Sequence, residues 1–406
     1  MIIKKWGYYL VAIFTLLVVA FLTMSYIGRG LFDVNYYNSF SIQANAWMHG
    51  HLDIPSNYSH LEIAIYEGKY FISFPPFPSV VLLPLVMIFG METPDHLLGI
   101  IFGIISLVVA IRICQHYLEN IGQSLMLALL LVLGSNYLHV FIWGSVWYIA
   151  QNMAFAFTLL SIYFAITNKQ YFTYLSLFFL CCAAGCRPFQ LVYTPLIVLL
   201  LYKRSADLMS IKQFSLQLIK WALPAIVLGL CYMTLNYARF NSVFEFGHNY
   251  LPEFSEAEHG QFSLIYIIDN LKTIFFKMPE YVEGVLEFPK FDGVAMWIVS
   301  PMLLLYLGLL IDYLIMKILV KKDFEWTFIV SLSLALVLGH ICLLALHKTL
   351  GGYHFGNRYT VDVLPVVFLC IVLLIKDSKF RDELCFLASG LMIVGCIINV
   401  VGTIML

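Results

Sequence analysis

The chain is a succession of apolar runs, and their lengths decide most of what it can become. Runs of spanning or near-spanning length fall at about 7–27, 96–113, 122–142, 148–167, 171–186, 189–202, 218–236, 295–316, 326–346, 361–375 and 385–404. About 20 residues carry a helix across the hydrocarbon of a bilayer, where only helices and closed barrels satisfy their own backbone. Of 406 residues, 61% are hydrophobic and 12% charged, whereas a soluble domain carries roughly 25% charged residues. The expected class is therefore an all-α polytopic membrane protein. Its first run, Trp6 to Ile27, is followed by no small-residue cleavage site and is expected to stay as a helix.

One apolar segment, Ser79 to Gly90, is too short to span. Charge decides how to count it, because cytoplasmic loops concentrate Lys and Arg. Leaving it out, with Lys4 and Lys5 in the cytoplasm, also places Arg112, Lys169, Lys203, Arg204, Lys212, Lys220, Lys317, Lys321, Lys322, Lys376, Lys379 and Arg381 there, 14 of the 23 basic residues. The same assignment puts 16 of 24 acidic residues outside. Counting the segment as a span would turn every later basic cluster outward. The expectation is eleven transmembrane helices in a plasma membrane, N-terminus cytoplasmic and C-terminus outside. Ser79 to Gly90 then reads as an interfacial helix whose entry is set by Pro75, Pro76 and Pro78.

Residues 1–406 read as a single membrane domain with external loops at about 28–95, 237–294 and 347–360. The first loop is rich in Tyr, Phe and Trp, which suits packing at the bilayer surface rather than disorder. The nine cysteines fall in or against apolar segments and read as small buried hydrophobes. A net charge of −1 argues neither way on nucleic acid, and none is among the expected partners. The spans carry little charge beyond Asp312 near a cytoplasmic end and His340. Pumps and ion-coupled transporters usually place charged relays at membrane depth, so chemistry is expected on the outer surface.

Asp33 follows the first span by a few residues, where a rigid helix end would hold a general base at the outer surface. In HGHLD, His49, His51 and Asp53 are potential metal donors, but an i, i+2 pair does not share a helix face. Glu62 and Glu67 approach the proline cluster, and Lys69 stands where a lysine can pair with a phosphate at headgroup height. Arg187, in the turn between two short apolar arms, wants an anionic partner, and Arg358 precedes a span on the same side with His347, Lys348 and His354 nearby. In the second loop Arg239, Glu245 and His248 lie close to the membrane, while Glu253, Glu256 and Glu258 read as a solvated face.

These residues resemble a family. An Asp soon after the first span, the strip Gly68-Lys69-Tyr70-Phe71 leading to Pro75-Pro76, Arg187-Pro188, RFNSVFEFG at 239–247 and GNRYTVDVLP at 356–365 look like membrane glycosyltransferases of the GT-C fold. Within it the chain is similar to bacterial relatives of protein O-mannosyltransferases and aminoarabinose transferases. The resemblance implies transfer of a sugar from a polyprenyl-phosphate donor to an acceptor glycan, lipid or protein on the outer face. It puts the catalytic carboxylate on Asp33 and the metal and lipid-phosphate positions near Glu67 and Lys69, and Arg187 and Arg358, from their own placement, are expected to hold the phosphate with Lys69. Glu62, Glu67 and His248 become candidates for an acceptor or a divalent metal. No second acid adjoins Asp33, unlike some members. A flippase or transporter of polyprenyl-linked sugars stays open as the second reading.

Overall fold

The computed structural model describes residues 2–167, 171–319, 321 and 326–406, with side chains from residue 6 onward. Lys169 and Lys322, two of the charges behind the topology, lie outside the described residues, as do the side chains of Lys4 and Lys5. Among the described residues seven helices are long and apolar enough to cross a membrane: Trp6–Tyr26, Asp95–Tyr117, Val146–Ile166, Ile211–Phe240, Thr327–Ala345, Arg358–Asp377 and Arg381–Ile404. The other expected spans are helical but shorter, as Phe172–Ala184, Thr194–Ser205 and Met302–Ile318.

The expected run 122–142 is one span in the sequence and two helices in the structure, Ile121–Val132 and Tyr137–Ile142. Gly134, Ser135 and Asn136 cause the break. The Ser135 hydroxyl donates to the Leu131 carbonyl at 2.5 Å, and the Asn136 amide donates to Asn399 Oδ1 at 3.2 Å. A Cβ on Gly395 would stand 2.1 Å from the Gly134 carbonyl oxygen. Small residues and side-chain amides thus let the last helix close on the break, which is how helices hold together where lipid is as apolar as their side chains.

Helices Val146–Ile166 and Leu364–Asp377 form the centre and are buried almost all round. Ile211–Phe240 stands at the periphery, started by a capping box between Ser210 and Gln213, and exposes Leu216, Ile219, Leu223, Val227 and Leu230. An apolar face this continuous suits lipid, not water. Cys231 and Cys342 are also exposed, against the expectation that every cysteine is buried.

The first long loop is more ordered than its sequence suggests. It holds a helix, Ser39–Met48, and an antiparallel hairpin, Ile63–Tyr66 with Lys69–Ile72. Glu67 and Gly68 form the two-residue turn at φ 49° and 74°, the pair of positive φ values that matches the twist of a hairpin. The helix Phe77–Phe89 follows, with Pro78 in its first turn. At 13 residues and ~1.5 Å per residue it falls short of the ~30 Å hydrocarbon. It buries Leu82 and Val86, exposes Val80, Met87, Ile88 and Phe89, and joins the loop helix through Ser79 Oγ donating to Gln43 Oε1 at 2.8 Å.

Candidate active site

Two spans enter the bundle in the same way. Arg187 precedes the 3-10 turn Pro188–Tyr193, which runs into the helix Thr194–Ser205 at Pro195. Arg358 opens the 3-10 turn Arg358–Val363, which runs into Leu364–Asp377 at Pro365. Proline near the first helical position presets φ and costs no hydrogen bond there. The tighter turn ahead of it delivers each arginine to a cavity of about 720 Å³ at the end of the bundle that carries the long loops.

Both guanidiniums stack on Tyr359, at 4.8 Å for Arg187 and 4.9 Å for Arg358 from the ring centroid. Arg187 is ion-paired: its Nη2 lies 2.7 Å from Asp362 Oδ2 and its Nε donates to the same oxygen at 2.8 Å. Arg358 is only 3% exposed. It donates from Nη2 to the Gly351 carbonyl at 2.9 Å, sits over Tyr148 at 5.4 Å, and has no carboxylate partner among the described residues. Gly351 is required here, since at φ +113° a Cβ would come within 2.8 Å of Arg358 Nη2. A buried unpaired cation is costly, so Arg358 is the group on this wall that most needs an anion.

Glu62, in the lining of the same cavity, accepts from Trp147 Nε1 at 3.0 Å. Burial pushes its carboxyl up to about 7; the Trp147 hydrogen bond and the Arg358 charge pull it down, and Glu253 pushes it further up. Such a group is half ionised at neutral pH and suited to taking a proton. His248 also lines the cavity. Its Nδ1 donates to the Ser73 carbonyl, and burial holds its pKa below the usual value despite that bond. The ring is then neutral, with Nε2 as an acceptor. His347, beside the same cavity, is held at about 4 by burial. Tyr36, Tyr37, Trp143 and Trp147 complete an aromatic wall, with Tyr36 stacked on His60 at 4.0 Å.

Of the residues singled out in the sequence, Glu62, Arg187, Glu245, His248, His347 and Arg358 meet at this cavity. Asp33 does not line it: it is exposed two residues before Asn35, which does, and accepts from the Gly30 amide at 2.5 Å. Glu67 and Lys69 stand at the exposed end of the hairpin, outside the cavity wall. Glu253, read as solvated, lines the cavity. His49 bonds the Asn45 carbonyl at the end of its helix. Among the described residues no three His, Cys, Asp or Glu side chains come together as a metal set. The acids nearest the proline pair do not fit a metal either, because Glu62 faces the cavity while Glu67 is on the hairpin turn.

Sequence reading assigns no role to Asp362, Gln151, Tyr148, Tyr359 or Trp147. Asp362 was hidden inside an expected span, although an acid in an apolar run is itself a signal.

The fold is a helical bundle whose structured first loop contributes to the lining of a charged cavity. The chain superposes on ArnT from Cupriavidus metallidurans solved bound to undecaprenyl phosphate, with TM-score 0.52 and 12% identity over 93% of this chain and 61% of that one. Apo ArnT matches equally, at 0.52 and 12% over 94% and 62%. The archaeal oligosaccharyltransferase AglB from Archaeoglobus fulgidus, solved with an inhibitory peptide and a dolichol-phosphate, gives 0.49 and 12% over 98% and 56%. The chain spans about three-fifths of the length of the ArnT structures, 61% and 62%. No family model and no curated protein matches it. The fold implied by the sequence resemblance is the fold observed.

Proposed function

We propose that the protein is a membrane glycosyltransferase that moves a sugar from a polyprenyl-phosphate donor to an acceptor on the outer face of the membrane. The observation that carries this reading is Arg358, buried without a carboxylate partner among the described residues in the same cavity as a carboxyl held near neutrality. An ArnT structure of the same fold, solved with undecaprenyl phosphate, supports it.

In the proposed step an acceptor hydroxyl attacks the anomeric carbon. The bond from that carbon to the phosphate oxygen breaks, and its electron pair leaves on the phosphate, held by Arg358 and Arg187. The hydroxyl proton passes to Glu62. Fixed donors aimed at developing charge are usually a large part of such catalysis. Asp33, the base that the resemblance implies, is the competing assignment, and Lys69 is the competing phosphate ligand.

The test uses the full chain in lipid nanodiscs with a panel of polyprenyl-phosphate sugars, scoring release of polyprenyl phosphate. Removing a positioned base costs about 10²–10⁴ in rate, so Glu62→Gln should lose that much while Asp33→Asn stays near the parent. The reverse pattern returns the base to Asp33. Release from no donor in the panel rejects the transferase and leaves the flippase reading. For orientation, Ser56→Cys should react with an impermeant thiol reagent in intact cells; failure to react puts the site on the cytoplasmic side.

A further inference from the structure

Asp362 is the most heavily tied side chain beside the cavity, yet it does not line it. Its carboxylate is 1% exposed. Oδ2 takes both the Nε and Nη2 groups of Arg187, and Oδ1 accepts from Gln151 Nε2 at 2.7 Å. The same Gln151 amide donates to the Arg358 carbonyl at 2.7 Å. Gln190 reaches the Asp362 carbonyl at 3.4 Å, and Gln190 is itself held by Thr158 at 3.0 Å. A carboxylate with this many donors cannot swing to another partner.

Two consequences follow for the arginines. Arg187 lines the cavity with two of its donors already committed to Asp362 and its charge balanced. Arg358, on the same Tyr359 ring, has no carboxylate ion-paired to it among the described residues. Together the three groups carry one net positive charge. The other charged side chains of the lining are Glu62, Glu245 and Glu253, which oppose a second negative charge, and Arg29, which is exposed and stacks on Trp143. In a buried site an unbalanced charge is penalised heavily.

We infer that Asp362 is a positioning residue that fixes the donor edge of Arg187 and cancels its charge, so that the cavity selects a phosphate group with one standing negative charge over a diphosphate. This rests on the proposed function for the identity of the site, but its test needs no sugar.

The experiment measures binding of farnesyl methyl phosphate, which carries one charge, and farnesyl diphosphate to the full chain in neutral-lipid nanodiscs. The parent should prefer the singly charged ligand. Asp362→Asn keeps an oxygen for Arg187 but raises the net charge by one, and should move the affinity ratio toward the diphosphate by about tenfold or more. Arg187→Gln lowers the net charge and should move the ratio the other way. The double variant Arg187→Gln/Asp362→Asn removes the pair as a unit, which folds tolerate better than a lone buried charge, and should return the ratio to the parent's. A ratio unchanged in Asp362→Asn, or a double variant that does not return to it, makes Asp362 merely structural and overturns the inference while leaving the transferase reading in place. A parent that binds neither ligand rejects the inference and the phosphate site of the proposed function together; sugar release in the transfer assay would then uphold the function alone.

Discussion

Lys69 and Arg358 are both basic residues a short way ahead of an apolar segment on the same expected side of the membrane, and the sequence recommends both as phosphate ligands. The structure treats them in opposite ways. Lys69 closes an exposed two-residue turn, and its side chain reaches no partner among the described residues. Arg358 is buried beside Tyr148 and Tyr359, anchored to the Gly351 carbonyl and without an ion-paired carboxylate among the described residues. A charge in water at the end of a hairpin is hydrated and screened by salt. The same charge under aromatic rings, away from water, acts with several times the strength. Proximity in sequence to a membrane segment therefore says little about a cation's use until its burial is known.

The sharpest way to break this contrast is charge removal at both places. Arg358→Gln should weaken binding of polyprenyl phosphate by about 3 kcal/mol, roughly a hundredfold. Lys69→Gln should stay within about twofold, as surface charges do. Equal losses in a direct binding measurement would return Lys69 to the site.

The pH profile tests the carboxyl of the same cavity. Glu62 must be ionised to take a proton and its carboxyl is raised to about 7 by burial. Transfer should therefore fall about tenfold for each pH unit below that point, and level off above it. Trp147→Phe removes the hydrogen bond that pulls this value down, so the midpoint should move up by about one unit. A midpoint near the ordinary carboxylate range would leave Glu62 without the role.

The smallest expected effect belongs to the turn. Gly68 sits at φ +74° with open space around its Cα, so Gly68→Ala should cost about 1 kcal/mol of backbone strain. Thermal unfolding should register it while affinity for polyprenyl phosphate stays at the parent value. A large loss of affinity would couple the hairpin to the cavity and blur the distinction between the two regions.

Much of this protein is legible from one dimension. The apolar runs identified the class, and the pattern from Asp33 to GNRYTVDVLP identified the fold. Six cavity residues, Glu62, Arg187, Glu245, His248, His347 and Arg358, stand out as polar groups beside apolar segments. Local signals also existed for features that went unread, such as the Glu-Gly turn between two alternating aromatic strands and the Gly-Ser-Asn break inside the run 122–142. What no local signal carries is which charge is already satisfied. Arg187 and Asp362 are 175 positions apart, and Gln151 and Arg358 are 207 apart. Hydrophobicity and turn preference belong to short stretches of chain and are read there. The desolvation of Arg358, the raised carboxyl of Glu62 and the neutralisation of Arg187 depend on which groups and how much water surround each charge. Only the packing of the helices decides that.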